Sequence, residues 1–411
     1  MGFLALFIVA LMPVLKILLV TAVGLLLGTE RIDLLGASAR KYLNNLVFFV
    51  FSPSIIISNL ADTITLDSLV TLWFMPVNVL LTFLIGSVLA WILIKITRAP
   101  QHLRSLIIGC CAAGNLGNLL LIIIPALCDE DNSPFGDSSV CSTDGEAYAA
   151  LSMAIGAVYI WSYVYPVMRL SANKGTKESE TDVSAIRDNV SEETSHLYSE
   201  ISTEALLPSM ASPSSEEYQD QVEEPKVTFL EKLKLCLKKV TGHIDFKKLF
   251  APSTIAAIVG FIVGIVSPFR KIFIGDDAPL RAVYSSVSLL GDAAIPCMTL
   301  IIGANLLRGL KSSGVSPLLI LGVIAIRYII LPSLGIVIVK AANHFGLVGS
   351  DSLYQFTLML QYALPPAMNV GTISQLLQTG ESECSVIMLW TYAVAAFSLT
   401  MWSTIFMLLV A

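Results

Sequence analysis

The chain has 411 residues, of which 55% are hydrophobic and only 14% are charged, and its mean hydropathy is +0.76. This balance excludes an ordinary soluble domain, and a net charge of −6 without a basic stripe argues against nucleic-acid binding. The seven cysteines lack Cys-x-x-Cys or Cys/His spacing, so we predict neither a metal site nor a cofactor. There is no Walker motif, which argues against direct ATP drive.

Ten apolar spans follow one another along the chain. Each is long enough for a hydrocarbon core of about 30 Å, which takes about 20 helical residues. The first span is too long for a signal peptide and lacks a clear cleavage site. The predicted spans are 4–27, 43–61, 69–94, 105–127, 147–169, 250–269, 284–306, 316–341, 353–377 and 385–410. The sequence therefore predicts an all-α membrane protein with ten transmembrane helices.

A long polar segment divides these spans into an N-terminal repeat of five, 1–170, and a C-terminal repeat of five, 250–411. The intervening loop, 171–249, is rich in Ser, Glu, Asp and Pro as far as residue 227, a composition typical of disorder. From residue 229 to 250, leucines recur at helical spacing beside six lysines. This end favours either a basic amphipathic helix on membrane lipid or a simple basic flank of the next span.

The distribution of Lys and Arg predicts the orientation. The loops after spans one and three are basic, whereas 62–68 and 128–146 contain no Lys or Arg. The central loop is therefore predicted to be cytosolic and both termini to lie on the opposite side, although Arg270, Lys271 and Arg281 weaken the rule in the second half. Cys128 and Cys141 flank an acidic loop on the non-cytosolic side and could pair there if that compartment is oxidising.

Five spans in each half would give the two halves opposite orientations, as in an inverted repeat. Spans four and nine are broken at equivalent places, 114–118 and 363–369. Unwound backbone inside a membrane is tolerated only where it lines a protein or water cavity. Two matched breaks therefore predict a transporter binding site.

Amides, glycines and prolines at these breaks form the candidate substrate site. Glycine and proline allow the helix to unwind, amides can bind an anion, and free helix N-termini suit a carboxylate. The alternative is that Gly117 only permits close helix packing and that Pro365-Pro366 is a kink. The candidate residues are Asn115, Gly117, Asn118, Gln361, Pro365, Pro366 and Asn369.

Four ionisable side chains within or beside the spans are further candidates, because charge is costly in a membrane. Arg327 is predicted either to pair with Asp292 or a helix C-terminus, or to attract an anionic substrate. Asp292 and Asp67 could carry a coupling proton, although a simple N-cap also accounts for Asp67. Lys16 lies deep in span one unless that span starts nearer Leu11.

Three stretches resemble the plant PIN-FORMED auxin efflux carriers, and the whole pattern resembles their PIN-LIKES branch. Span four has Gly117-Asn118 with a proline seven residues after the Asn, and span nine has Gln-Tyr-Ala-Leu-Pro-Pro at 361–366. Spans seven and eight have Leu-Gly-Asp-Ala at 290–293 and Arg-Tyr at 327–328. The resemblance covers both membrane halves but not the central loop.

The resemblance implies a homodimeric inverted-repeat transporter with a scaffold domain and a transport domain, in which spans four and nine cross near the midplane. It also implies an indole-3-acetic acid anion as substrate, Asn118 as an amide ligand, and auxin accumulation across the endoplasmic reticulum membrane. Two positions depart from the pattern. Thr71, one helical turn after Asp67, stands where relatives have Lys, and Gly117 stands where relatives have a crossover proline. The first crossover is therefore expected to be softer than the second.

Three alternatives to auxin transport differ from it in substrate or in functional class. One is a sodium- or proton-coupled symporter of another organic anion on the same fold. Another is a receptor or scaffold that signals through the central loop. An intramembrane aspartyl protease is disfavoured, because Leu289 stands where the first Gly of Gly-x-Gly-Asp would precede Asp292. The chain is therefore not expected to be an enzyme.

Overall fold

The computed structural model describes residues 3–64, 70–130, 133–172, 252–275, 277–311, 315–377 and 379–410. The predicted central loop beyond residue 172, Asp67 and the side chain of Asn118 lie outside this description. Met1–Ser171 and Asp245–Ala411 pack together as one compact unit.

The described residues of the N-terminal half fold into helices. Two of these helices continue through a π-helical turn, Val47–Phe51 between α2 and α3 and Ile160–Val164 after α7. The helices are α1 (Phe3–Leu27), α2 (Ala37–Leu46), α3 (Ser52–Thr63), α4 (Phe74–Thr97), α5 (Gln101–Ala112), α6 (Asn118–Cys128) and α7 (Ser138–Tyr159).

The C-terminal half is also helical in its described part, and a third π-helical turn, Ile326–Ile330, joins α12 to α13. The helices are α8 (Pro252–Ile265), α9 (Ser267–Phe273), α10 (Arg281–Asp292), α11 (Ala294–Lys311), α12 (Pro317–Ala325), α13 (Leu331–His344), α14 (Ser352–Leu360), α15 (Met368–Leu376) and α16 (Glu381–Val410). The described residues contain one isolated β-bridge, between Gly114 and Pro366, and they form no β-strand.

Seven continuous helices in the described residues are long and apolar enough to cross a membrane. The sequence predicts ten spans, and the difference has a local cause. Predicted spans four and nine are each divided into two short helices, α5 with α6 and α14 with α15. Predicted span six is bent by 97° between α8 and α9. The all-helical membrane fold is confirmed.

One set of helices, called here the first helix group, consists of α1–α3 and α8–α11. Its members approach closely at glycines: a Cβ on Gly264 would lie 2.7 Å from the Ile64 carbonyl oxygen, and Gly24 and Gly303 bring α1 against α11 in the same way. Arg270 adds a polar tie, because its guanidinium donates to the Asp62 carbonyl at 2.7 Å. Small residues at such contacts let helix backbones pack closely in a membrane.

The remaining helices, α4–α7 and α12–α16, form the second helix group. Gly86 packs against the end of α5, and a Cβ on Gly156 would lie 2.9 Å from Leu116. The groups meet where α16 packs on α1 and α11, and where α7 packs on α3. Among the described residues, every glycine whose added Cβ would contact another helix faces a helix of its own group. The boundary between the groups therefore lacks the glycine contacts that lock each group internally.

Candidate functional site

The two helix breaks pair with each other through their backbones. The Asn115 amide donates to the Pro365 carbonyl and the Ala367 amide donates to the Ala113 carbonyl, each at 2.9 Å. Gly114 and Pro366 form the antiparallel bridge between these hydrogen bonds. Unpaired backbone groups are costly inside a membrane, and here each break supplies partners for the other. The two breaks thus form one crossover.

Local sequence explains why the chain unwinds at these two places. Pro365 and Pro366 have no N–H to donate, and a proline disfavours helical geometry in the residue before it. At the first break, glycine is required because there is no space for a Cβ atom. A Cβ on Gly114 would lie 2.9 Å from Nη2 of Arg327, and one on Gly117 would lie 2.8 Å from Met153. Only glycine permits this close approach.

Arg327 braces the crossover from the π-helical turn between α12 and α13. Its side chain is fully buried and donates to three carbonyls, those of Cys111 at 3.2 Å and of Ala113 and Pro365 at 3.0 Å. Cys111 and Ala113 lie at the C-terminal end of α5, where carbonyls have no helical partner. Of the predicted partners, the structure shows a helix C-terminus. Asp292 ends α10 with an exposed side chain and does not bond to Arg327 in the described residues.

A cavity of about 410 Å³ lies beside the crossover, between the two helix groups. Ligand-binding cavities commonly measure roughly 300–1,000 Å³. Of the predicted residues, Asn115, Gly117 and Asn369 line it. Its charged lining residues are Arg40, Lys41 and Glu381, its other polar residues include Asn44, Asn305, Gln375 and Tyr392, and its apolar residues include Phe48, Ile56, Met153, Met298, Ile301 and Met388.

Tyr392 of α16 connects the cavity to the crossover. Its hydroxyl accepts a hydrogen bond from Nδ2 of Asn115 at 2.9 Å and donates to the Pro366 carbonyl at 3.0 Å. The Asn115 side chain is 5% exposed, so this contact fixes it at the cavity wall. The sequence does not point to Tyr392, because nothing local marks a tyrosine within a long apolar span as a partner of a distant break.

Gln361, which the sequence predicts to hold either the break or the ligand, lies outside the cavity lining. It is fully buried, accepts from Nδ2 of Asn78 at 2.7 Å and donates to Oγ of Ser152 at 2.7 Å. It thereby ties the second break to α4 and α7. Pro365 and Pro366 also lie outside the lining and contribute carbonyls to the crossover instead.

Two of the other predicted charges do not line the cavity. Lys16 is exposed on α1, and Asp292 is exposed at the end of α10. Asp67 and the Asn118 side chain lie outside the described residues, so their predicted roles stay predictions. In contrast, Arg40 and Lys41, which the sequence marked only as indicators of orientation, lie at the cavity on α2.

A disulfide joins Cys128 at the end of α6 to Cys141 near the start of α7, with their Cα atoms 5.5 Å apart. Between them, Asp137 caps the N-terminus of α7. Hydrogen bonds from the Ser139 hydroxyl and from the backbone amides of Val140 and Ser139 lower the pKa of the Asp137 carboxyl. The loop is thus fixed at both ends.

Comparison with known proteins connects this architecture to a family. A profile described as membrane transport protein matches residues 9–403. The chain belongs to this membrane transport protein family. It is 52% identical to PIN-LIKES 3 of Arabidopsis thaliana over 408 residues, which cover 99% of both chains. It is also 52% identical to Arabidopsis PIN-LIKES 1 over 411 residues, covering 100% of this chain and 81% of the relative.

The match to the family covers both membrane halves of the chain. Arabidopsis PIN-LIKES 6 is more distant, with 31% identity over 409 residues that cover 97% of this chain and 92% of the relative. The resemblance to the PIN-LIKES branch is therefore confirmed, and so is the expectation that the chain is a membrane transporter and not an enzyme.

Proposed function

We propose that this transporter is a carrier that binds the indole-3-acetic acid anion in the cavity beside the crossover and moves it across an intracellular membrane. The observation that carries the proposal is the cavity itself, which is lined by Asn115 and Asn369 from the two broken spans. Membership of a membrane transport protein family supports the transport role. The resemblance of the crossover motifs to those of auxin carriers supports indole-3-acetic acid as the ligand.

The chemistry of the cavity suits an aromatic carboxylate. Side chains such as Phe48, Met153 and Met298 offer apolar and polarisable surface to an indole ring. Amides and the nearby cations Arg40 and Lys41 offer partners for a carboxylate. The helices α6 and α15 both begin at the breaks, so the positive ends of their dipoles face the crossover.

The proposed architecture treats each broken pair as a single span. With α5–α6, α14–α15 and the bent α8–α9 pair counted in this way, the helices correspond to the ten predicted spans in two inverted repeats of five. The first helix group would be the scaffold domain and the second the transport domain. Glycine contacts within but not between the groups support a rocking or sliding motion of one against the other.

We further propose that the protein is a homodimer in the endoplasmic reticulum membrane, with the central loop cytosolic and both termini lumenal. The Cys128–Cys141 disulfide supports the orientation, since it lies on the side predicted to be non-cytosolic and disulfides persist in an oxidising lumen. A protein-wide map of cysteine accessibility in sealed microsomes would test this orientation.

Uptake of radiolabelled indole-3-acetic acid into liposomes containing the purified full chain tests the proposed function. Saturable uptake above that of empty liposomes is expected, and its absence would contradict the proposal.

Imposed pH and sodium gradients identify the coupling ion, and strict sodium dependence would favour the symporter alternative. Loss of uptake after deletion of 175–225 would favour the signalling alternative. Binding to an Asn118→Ala variant tests the predicted amide ligand, and Asp67→Asn and Asp292→Asn test the predicted proton carriers.

A further inference from the structure

The buried guanidinium of Arg327 has no carboxylate as a partner in the described residues. Its three hydrogen bonds go to carbonyl oxygens, which carry only partial charges, and its Nε has no hydrogen-bond partner. A buried charge is normally paired with an opposite charge as well as hydrogen-bonded. The crossover therefore contains a positive charge that nearby described side chains do not neutralise.

This charge lies directly behind the cavity wall. The Gly114 backbone separates the two, since Gly114 lines the cavity and a Cβ built on it would lie 2.9 Å from Nη2 of Arg327. The lack of a side chain at Gly114 keeps this wall thin. Ala113 and Pro365, whose carbonyls bond the guanidinium, directly precede Gly114 and Pro366, the two residues of the crossover bridge. The field of the guanidinium consequently reaches the cavity through little intervening material, and low-dielectric surroundings screen it weakly.

We propose that Arg327 adds to the preference of the cavity for anions, beside Arg40 and Lys41 of the lining, with the bound carboxylate serving as its counter-charge across the Gly114 backbone. Arg327 is in this sense a positioning and selectivity residue, because it acts on the ligand through the crossover without touching it. The inference rests on the proposed function, since it takes the ligand to be a monoanion. It distinguishes Arg327 from a purely structural brace, which would stabilise the crossover without distinguishing a charged from a neutral ligand.

Binding of indole-3-acetate and of its neutral amide, indole-3-acetamide, tests this inference at pH 7.5 and constant ionic strength. The two ligands share the ring and linker but differ in charge. Wild-type protein is expected to prefer the carboxylate by about tenfold or more, the order of effect for unit charges roughly 8 Å apart at an effective dielectric constant of about 20. Arg327→Lys should keep most of this preference, and Arg327→Gln should reduce the affinity ratio severalfold, leaving the part that Arg40 and Lys41 contribute.

Arg270→Gln is the matched control, because Arg270 also binds helix-end carbonyls but does not line or adjoin the cavity. It should lower stability and leave the affinity ratio unchanged. Equal binding of both ligands to the wild type, or an unchanged ratio in folded Arg327→Gln, would overturn the inference while leaving the proposed substrate intact. If Arg327→Gln does not fold, the affinity ratios of the wild type and of Arg327→Lys are compared instead, and loss of the carboxylate preference in folded Arg327→Lys, which keeps the charge, would overturn the inference. Failure of both ligands to bind the wild type would contradict the proposed substrate and this inference with it.

Discussion

The backbone amide of Asn115 donates a hydrogen bond to the carbonyl of Pro365, which lies 250 positions later in the chain. Ala367 returns a hydrogen bond to Ala113, so each break satisfies the backbone of the other. Since unpaired backbone groups cost several kcal/mol in a membrane, neither break is stable without its counterpart. A substitution in one break should therefore affect both halves of the protein.

Gly114→Ala should destabilise the protein by about 1–3 kcal/mol, the usual range for overpacking a well-packed site. The new methyl group would meet Nη2 of Arg327 at 2.9 Å, and the guanidinium cannot retreat without weakening its bonds to Ala113 and Pro365. Denaturant unfolding in detergent, followed by fluorescence, measures the change. Gly349→Ala is the control, because a Cβ there meets nothing within 4 Å. Equal midpoints for the two variants would refute the prediction.

Asn115→Ala should weaken binding of indole-3-acetic acid by about tenfold, since hydrogen bonds to a charged group contribute roughly 1.5–3 kcal/mol. Asn115 lines the cavity, and only one of its two amide protons is used by Tyr392. Titration calorimetry on the detergent-purified protein gives the affinity. Asn343→Ala removes an amide that bonds Val348 and Gly349 far from the lining and should bind the ligand normally. Wild-type affinity in Asn115→Ala would remove this residue from the proposed site.

The sequence identifies the breaks because their causes are local. Pro365 and Pro366 disfavour helical geometry in the second break, and Gly114 and Gly117 permit unwinding in the first. Asn115 and Asn369 line the cavity because each adjoins the residues that unwind the helix. The positions of the breaks are thus predictable from the chain alone, whereas their lining residues are predictable only in part, since Pro365 and Pro366 lie outside the cavity lining.

Side chains one turn away from a break are not predictable in the same way. Gln361 precedes Pro365 by one turn, but its direction depends on where the helix stops, and its partner Asn78 is 283 residues distant. The same limit applies to Arg40 and Tyr392, which reach the site only because α2 and α16 pack beside the crossover. Sequence patterns show that a helix is amphipathic or charged, whereas the neighbour it meets is decided by tertiary packing.

Gln361→Leu should lower stability by about 1–3 kcal/mol and leave the affinity of folded protein for indole-3-acetic acid within about twofold of wild type. The substitution removes one of the two acceptors of the Asn78 amide, which keeps its bond to the Leu358 carbonyl, and it removes the donor to Ser152; Asn78 and Ser152 are both fully buried. Gln361 does not line the cavity, so the ligand loses no direct contact. Denaturant unfolding and calorimetry separate the two effects.

Gln101→Leu is the control for this variant, because Gln101 is exposed at the start of α5. It should change neither stability nor affinity. A stable Gln361→Leu protein with strongly reduced affinity would return Gln361 to the binding site, as the sequence alone predicts. A fall in stability alone would assign it to the support of the second break.

Removing the Cys128–Cys141 disulfide, by changing both residues to Ala, should destabilise the protein by about 2–4 kcal/mol, as expected for a closed loop of this length. Reducing agent should lower the unfolding midpoint of the wild type to a similar value and have no further effect on the double variant. Cys297→Ala removes a half-buried free thiol and should behave like the wild type in both conditions. Mass spectrometry of denatured, alkylated protein should show two additional labelled thiols after reduction. Complete labelling of Cys128 and Cys141 without reductant would show that the bond does not form in the membrane from which the protein was isolated.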